Sequence, residues 1–340
     1  MNASASRLPA YFHPTTVCFV DDNNGFLRSV ELEMPPHIPF ISFLTPDEAL
    51  AAVNVPPPRP ALAERCFTLD ETDPLEPVIR FNLAALEREI TDVQRFARLS
   101  VLLIDYAMPQ MNGLEFSAQV ADPDAKRVLL TGVADESTAV EAFNDGLIDL
   151  YLPKARLAQA GSLEPFIQTM QHAYFQQYTA RLTSNVSMQT PPFMQDPAIV
   201  GYFSQLLRKH QIVEYFLVND PDGYLLLQAD GTMFRLIIGN RQQNALALTR
   251  AQRCDAPRKW LRRLETGKAL AWFYECPEDY PATEAFPWGD IMFAAREIQG
   301  TQPWLVAWVQ NPPVDIDFDP AQSSFNEFLR RRPRGSPRPD

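Results

Sequence analysis

Three aspartates, a threonine and a lysine stand at the ends of short apolar runs. Asp21 and Asp22 follow Val17-Cys18-Phe19-Val20, and Asp105 follows Val101-Leu102-Leu103-Ile104. Thr131 follows Arg127-Val128-Leu129-Leu130, and Lys154 follows Ile148-Asp149-Leu150-Tyr151-Leu152-Pro153. Runs so short and apolar read as strands covered on both faces, the pattern of a parallel sheet. A carboxylate after one buried strand also reads as an ordinary surface Asp. Four such strands lying parallel would instead bring their carboxyl ends to one edge, where open α/β sheets place their chemistry. That edge would hold three carboxylates, a hydroxyl and an ammonium.

The set resembles the CheY-like receiver domain of two-component response regulators. The residues that carry the likeness are Asp21-Asp22, Asp105 with Met108-Pro109 and Asn112-Gly113, Thr131, and Lys154. Tyr151, three before the lysine, falls where that family keeps an aromatic switch residue. The resemblance covers roughly residues 15–180 with an interruption. One feature departs from the family: Lys-Pro usually follows the fifth strand, whereas this chain has Pro153-Lys154-Ala155.

The resemblance implies a doubly wound five-stranded parallel sheet in the order 2-1-3-4-5. It implies that Asp105 is the phosphoacceptor, taking a phosphoryl group from a histidine kinase or phosphotransfer protein as a carboxylate nucleophile. A hard divalent ion, Mg²⁺ or another such as Mn²⁺, would be held by Asp21, Asp22, Asp105 and the backbone carbonyl of Ala107. Lys154 would pair with a phosphoryl oxygen, Thr131 would turn its hydroxyl onto the phosphate, and Tyr151 would follow inward. On this reading the receiver catalyses only its own phosphoryl transfer and hydrolysis. The protein would be a bacterial, cytoplasmic phosphoprotein and a homodimer.

The elements that position these residues are only partly regular. Residues 1–14 read as a loose leader. Asn24 to Met34 reads as a helix stopped by Pro35-Pro36. Thr45-Pro46-Asp47-Glu48 reads as a cap with proline in the first turn and acids behind it. About 45 residues then separate that helix from the third strand. Within them, Val55-Pro56-Pro57-Pro58-Arg59-Pro60 reads as polyproline, 67–77 as an acidic loop, and Ile79 to Leu99 as an inserted helix with apolar residues at 3-4-3-4 spacing. That helix would pack on the receiver or form a dimer contact. Glu136 to Asn144 reads as the fourth helix, and the helix from about Ser162 to Leu182 is longer than a receiver needs.

The domain boundaries follow: a receiver over 15–182 with an insertion at about 55–99, a linker over 183–196, an α+β domain over 197–312, and a C-terminal extension over 313–340. The α+β domain has the order α-β-β-β-α-β-β-β, which suggests an antiparallel sheet. Its Asn219-Asp220-Pro221-Asp222-Gly223 turn between apolar runs loosely resembles PAS-type sensor domains. Glu275, Glu278, Asp279, Glu284 and Asp290 form an acidic stretch, read as a solvated loop or a ligand mouth beside Trp272, Phe286 and Trp288.

Composition excludes several classes. No apolar run approaches the length of a membrane span, and the first seven residues lack the apolar core of a signal peptide. The four cysteines, Cys18, Cys66, Cys254 and Cys276, form no CxxC pair and read as reduced core thiols. The net charge of −12 divides after residue 185 into −11 and −1. With no general basic excess in the second part, the balance argues against nucleic acid; the Arg330-to-Arg338 tail is the exception. The resulting expectation is a response regulator signalling through a non-helix-turn-helix domain that binds a protein or small ligand. The alternatives are an output domain that is an enzyme, a nucleotide-binding module or a nucleic-acid binder.

Overall fold

The computed structural model describes residues 7–55, 67–70, 78–81, 88–131, 141–157, 163–184, 191–219, 221–273, 287–313 and 317–332. In chain order the strands are β1 Tyr11–Phe12, β2 Thr16–Val20, β3 Phe40–Phe43, β4 Phe67–Asp70, β5 Val78–Phe81, β6 Leu99–Asp105 and β7 Lys126–Thr131. They continue with β8 Leu150–Pro153, β9 Ile212–Val218, β10 Gly223–Gln228, β11 Met233–Asn240, β12 Ala269–Ala271, β13 Met292–Gln299 and β14 Pro303–Gln310. The helices are α1 Asn24–Glu33, α2 Pro46–Val53, α3 Gly113–Ala118, α4 Lys154–Leu157, α5 Leu163–Ser184 and α6 Pro197–Lys209. After these come α7 Arg241–Arg253, α8 Arg258–Glu265, α9 Trp288–Ile291, α10 Pro320–Ser323 and α11 Phe325–Arg331.

The chain divides into two compact units, each assembled from three segments. One holds His13–Ala61, Asp92–Leu182 and Phe325–Asp340; the other holds Met1–Phe12, Leu62–Thr91 and Thr183–Ser324.

The first unit is built on a five-stranded parallel sheet in the order β3-β2-β6-β7-β8, the 2-1-3-4-5 order expected. Its central strands are buried on both faces, which is why they are apolar throughout. Val17, Phe19, Val101, Leu103, Val128 and Leu130 join α1 and α5 in one core layer. Cys18, Val20, Ile41, Leu102, Ile104 and Phe116 form the other. The helix starts follow local chemistry. Thr45 caps α2 through the Glu48 amide at 3.4 Å with Pro46 in the first turn, and Asn112 and Glu115 form a reciprocal capping box on α3. At the amino-terminal edge of the sheet, α5 is fixed by side chains. Gln171 donates to the Thr15 carbonyl at 2.9 Å, Arg98 donates to the Tyr174 hydroxyl at 3.1 Å, and Lys126, paired with Asp149 at 2.8 Å, also donates to Gln177.

The last part of the C-terminal extension, from Phe325, belongs to this unit. Phe325 and Phe328 of α11 lie 5.0 and 5.3 Å from the ring of Phe96, which is fully buried. Arg332 donates to the Thr16 hydroxyl, and Arg331 pairs with the buried Glu327 at 2.5 Å. Arg330 to Arg332 therefore belong to or abut a helix end; residues 333–340 lie outside the described residues.

Two sequence expectations in the insertion differ from the structure. The 67–77 stretch begins with a strand, because β4 pairs antiparallel with β5 through Phe67↔Phe81 and Asp70↔Val78. The helix expected over Ile79 to Leu99 is absent among the described residues. Val78-Ile79-Arg80-Phe81 is a β-prone run, and Asp92 accepts from the Gln94 amide at 3.1 Å, which starts a new 3₁₀ segment, Val93–Ala97, after Arg88–Thr91. The polyproline run beyond Val55, most of the fourth helix and most of the acidic stretch lie outside the described residues.

The second unit is a seven-stranded sheet in the order β1-β9-β10-β11-β14-β13-β12, with every pairing antiparallel. The α-β-β-β-α-β-β-β order of the sequence is present, with the middle helix split at Pro257. The segment expected as a leader supplies β1: Tyr11 pairs with Phe216, and Leu8, Ala10 and Tyr11 are buried. Only glycine fits at 223, where φ is +146° and a Cβ would lie 1.9 Å from the Leu236 carbonyl oxygen. Phe203 of α6 packs on Tyr215 and Tyr224 at 5.0 and 4.6 Å. Asp196 caps α6 and also accepts from the Thr301 amide at 2.7 Å and the Trp304 indole at 2.8 Å, tying the helix start to the β13–β14 turn. A separate antiparallel α+β unit is thus present, assembled from Met1–Phe12 and Leu62–Thr91 as well as Thr183–Ser324.

Candidate functional site

Asp21, Asp22, Asp105, Thr131 and Lys154 all sit at the carboxyl ends of the parallel strands β2, β6, β7 and β8 or directly beyond them. Carboxylate oxygens of Asp21, Asp22 and Asp105 lie within 4.8 Å of one another. Asp21 and Asp105 are buried and Asp22 is exposed. Asp21 is fixed twice: its backbone amide bonds the Phe43 carbonyl at 3.1 Å, and its Oδ1 accepts from the Asn23 amide at 2.9 Å.

Lys154 Nζ lies 2.6 Å from Asp21 Oδ2 and 3.0 Å from Asp105 Oδ1. Its stem passes the Phe26 ring, with Nζ 4.8 Å from the centroid. The proline that precedes the lysine is accommodated in the sheet. Pro153 ends β8, an edge strand where a missing amide is tolerated, and it stays in register with Thr131.

Burial raises the Asp21 carboxyl above its ordinary value, and the charge of Asp105 adds to this. The hydrogen bonds from Lys154 and Asn23 act in the other direction. Burial alone would lower Lys154, but its hydrogen bonds to Asp21 and Asp105 outweigh that and hold the ammonium above the ordinary lysine value. With the three aspartates ionised and Lys154 charged, the cluster carries two net negative charges. A hard divalent cation matches both that balance and the all-oxygen donor set.

The loop after β6 is held close to the sheet. The Tyr106 amide bonds the Leu130 carbonyl at 2.9 Å, and the Gly113 amide bonds the Tyr106 carbonyl at 3.0 Å. A Cβ at Gly113 would sit 2.5 Å from the Asp105 carbonyl oxygen and 2.6 Å from Leu129 Cδ1. Asn112-Gly113 is legible as a motif in the sequence, but only the fold shows that the glycine lets α3 begin against the Asp105 backbone. Ala107 lies exposed in this loop.

Thr131 is 4% exposed and follows Leu130, the register partner of Asp105. Tyr151 pairs with Leu129, so it shares a sheet face with Thr131, and it packs half-buried on Leu129, Ala142 and Ile148. The residues expected at the site are therefore together, with Tyr151 one step behind Thr131.

No protein-family model and no curated relative matches the sequence. Among solved structures, the chain is similar to that of the Legionella pneumophila response regulator LqsR. The two are 28% identical, the match covers 95% of this chain and 96% of that one, and the TM-score is 0.78. Shorter likenesses include a CheY-like response regulator receiver domain protein from Methanospirillum hungatei JF-1, at 17% identity, 47% and 96% coverage and a TM-score of 0.31. The BeF3-activated DrrB receiver domain is 15% identical, at 48% and 98% coverage and a TM-score of 0.28. The first of these spans both units. With the sheet order, it bears out the expected resemblance: a receiver of CheY-like fold joined to an antiparallel unit.

Proposed function

We propose that this chain is a response regulator of a two-component phosphorelay, accepting a phosphoryl group on Asp105 from a histidine kinase or phosphotransfer protein. The observation that carries the reading is the cluster at the strand ends: the Lys154 ammonium bonded to both Asp21 and Asp105, with Asp22 completing a three-carboxylate set. The likeness to a response regulator over nearly the whole chain supports it.

On this reading an Asp105 carboxylate oxygen attacks phosphorus, forming an O–P bond as the bond to the donor's leaving group breaks. Asp21, Asp22, Asp105 and the Ala107 carbonyl would hold Mg²⁺ or a similar ion such as Mn²⁺. When bound, that ion neutralises charge between the carboxylates and the incoming phosphoryl group. Lys154 supplies one positive charge at the Asp105 oxygen and is placed to follow it onto a phosphoryl oxygen. Thr131 offers a hydroxyl beside the acceptor, and Tyr151 behind it gives the sheet face a group whose position responds.

The output is read as non-enzymatic binding of a protein or small ligand by the α+β unit. Phosphorylation-linked homodimerisation belongs to the same proposal, supported by Phe143, which is 55% exposed next to Ala142, a residue clustered with Tyr151 of β8. No helix among the described residues is long and apolar enough to cross a membrane. Size-exclusion chromatography with light scattering tests the switch, run with and without beryllofluoride and Mg²⁺. A mass change that disappears in Asp105→Ala supports a receiver that drives assembly, and a change that persists in Asp105→Ala contradicts it.

A further inference from the structure

Elsewhere in the antiparallel unit the described cations are committed or few together, as with the exposed pair Arg208 and Lys209 at the end of α6. Arg235 is buried and donates to the Asn219 carbonyl at 3.4 Å, and Arg241 pairs with Glu297 at 2.9 Å. The segment from Arg253 to Lys268 is different. It carries Arg253, Arg258, Lys259, Arg262, Arg263 and Lys268 against only Asp255 and Glu265. All six cations are exposed, and among the described residues none is ion-paired. Lys259 and Arg263 only flank the Trp260 ring, at 5.3 and 5.4 Å from its centroid.

The helices are amphipathic in a way that holds this face outward. Ala251, Cys254, Ala256 and Leu264 are buried with Trp288 and Ile291, and Trp260 and Leu261 pack against them. The apolar side of α8 is thus used inside the unit, and the side left over is cationic.

We infer that the α7–α8 face is a docking surface for the phosphodiester backbone of a nucleic acid. Four of the six cations are arginines, whose planar forks match phosphate oxygens. An eight-residue helix is about 12 Å long, enough to follow about three phosphates of one strand at ~3.4 Å spacing. A lipid surface fits less well, because an interfacial helix must submerge its apolar side and that of α8 is in the core. A protein partner fits less well too, because Leu246 is the one large apolar side chain exposed on α7 and α8 among the described residues, and Trp260 packs against the core. The expectation against nucleic acid rested on the −1 balance of the second part, an average in which this run is cancelled by acids elsewhere. The surface is independent of the phosphorelay reading.

The test is fluorescence anisotropy of the full-length protein with a short labelled duplex DNA and a single-stranded RNA, over a salt series. Arg258→Glu/Arg262→Glu is compared with wild type and with Arg330→Glu/Arg331→Glu, with circular dichroism confirming that each variant is folded. Wild type is expected to bind at least one of the two at low salt, with affinity falling as salt rises. The Arg258/Arg262 variant should lose about tenfold or more in affinity, and its log K against log salt slope should shrink by about 1.8 for two lost phosphate contacts on duplex. The Arg330/Arg331 variant should match wild type. Three results overturn the inference: no binding at low salt, loss of binding only in the Arg330/Arg331 variant, or binding to phosphatidylserine vesicles and to neither nucleic acid.

Discussion

Lys154 Nζ lies 3.0 Å from Asp105 Oδ1, so the carboxylate proposed to accept phosphate is already neutralised by an ammonium from the neighbouring edge of the sheet. The same ammonium contacts Asp21 at 2.6 Å. Lys154 therefore sets the charge that the site presents to a cation and to a phosphoryl donor.

Removing that charge separates two effects. In Lys154→Ala the cluster gains one negative charge, and losing a unit charge about 5 Å from a divalent ion is worth about 1.7 kcal/mol even at the dielectric of water. Mg²⁺ affinity by isothermal titration calorimetry should rise by about tenfold or more, while beryllofluoride no longer changes the oligomeric mass. Mg²⁺ affinity equal to or weaker than wild type would show that Lys154 does not face the cation site.

Gly113→Ala tests the close approach behind the acceptor. Its Cβ would fall 2.5 Å from the Asp105 carbonyl oxygen, a backbone atom held in the sheet. Relieving that contact must move α3 or the end of β6. A loss of about 2 kcal/mol or more in the first unfolding transition is expected, in the range of overpacked cores. A variant as stable as wild type, phosphorylated at the wild-type rate, would mean the loop gives way without cost.

Asp196 provides a pH signature in the other unit. Burial would raise its carboxyl, but hydrogen bonds from Thr301, Trp304 and Ala198 outweigh this and hold it at about 2. A carboxyl depressed on folding contributes stability that is fully present above its unfolded value near 4 and is lost as pH falls toward 2, about 2 kcal/mol in all. Denaturant unfolding of the wild type between pH 5 and 2.5 should show this loss. Asp196→Asn should be less stable at pH 5 and show a flatter profile. An unchanged profile in Asp196→Asn would assign the pH dependence to other groups.

The C-terminal helix should behave as part of the receiver core. Phe328→Ala removes a ring packed 5.3 Å from Phe96, and truncating a buried phenylalanine costs about 3–5 kcal/mol. A receiver fragment ending at Leu182 should melt well below the same unit in the full chain. Equal melting temperatures would show that α11 only rests on its surface.

How much of this was legible from the chain depends on how local each signal is. The cluster at the strand ends was readable because four of the strands are short, mostly apolar runs followed by one or two polar residues, and a parallel sheet brings those ends together whatever lies between. The caps at Thr45 and Asn112, and the break at Pro257, are likewise decided within a few residues. What was not readable depends on distant partners. Tyr11-Phe12 is too short to announce a strand, and it becomes one only because β9 offers its edge to Tyr11 and Phe12. The apolar spacing from Ile79 to Leu99 fits a helix, but Val78–Phe81 finds a strand partner in β4 and Asp92 starts a new turn. Nothing in Phe325-Asn326-Glu327-Phe328 says which unit it will cover. The basic face of α7 and α8 was present in the sequence and hidden by averaging charge over the whole second part.

The central claim is that Asp105 accepts a phosphoryl group with the help of this cluster. The most direct measurement is intact-mass and peptide-mapping mass spectrometry after incubation with acetyl phosphate and Mg²⁺, for wild type and Asp105→Asn. One phosphoryl adduct per chain is expected in wild type, mapping to the peptide that contains Asp105, dependent on the divalent ion and absent from a folded Asp105→Asn. An adduct of equal yield in Asp105→Asn, or one that maps to Asp21, Asp22 or another residue in wild type, would contradict it.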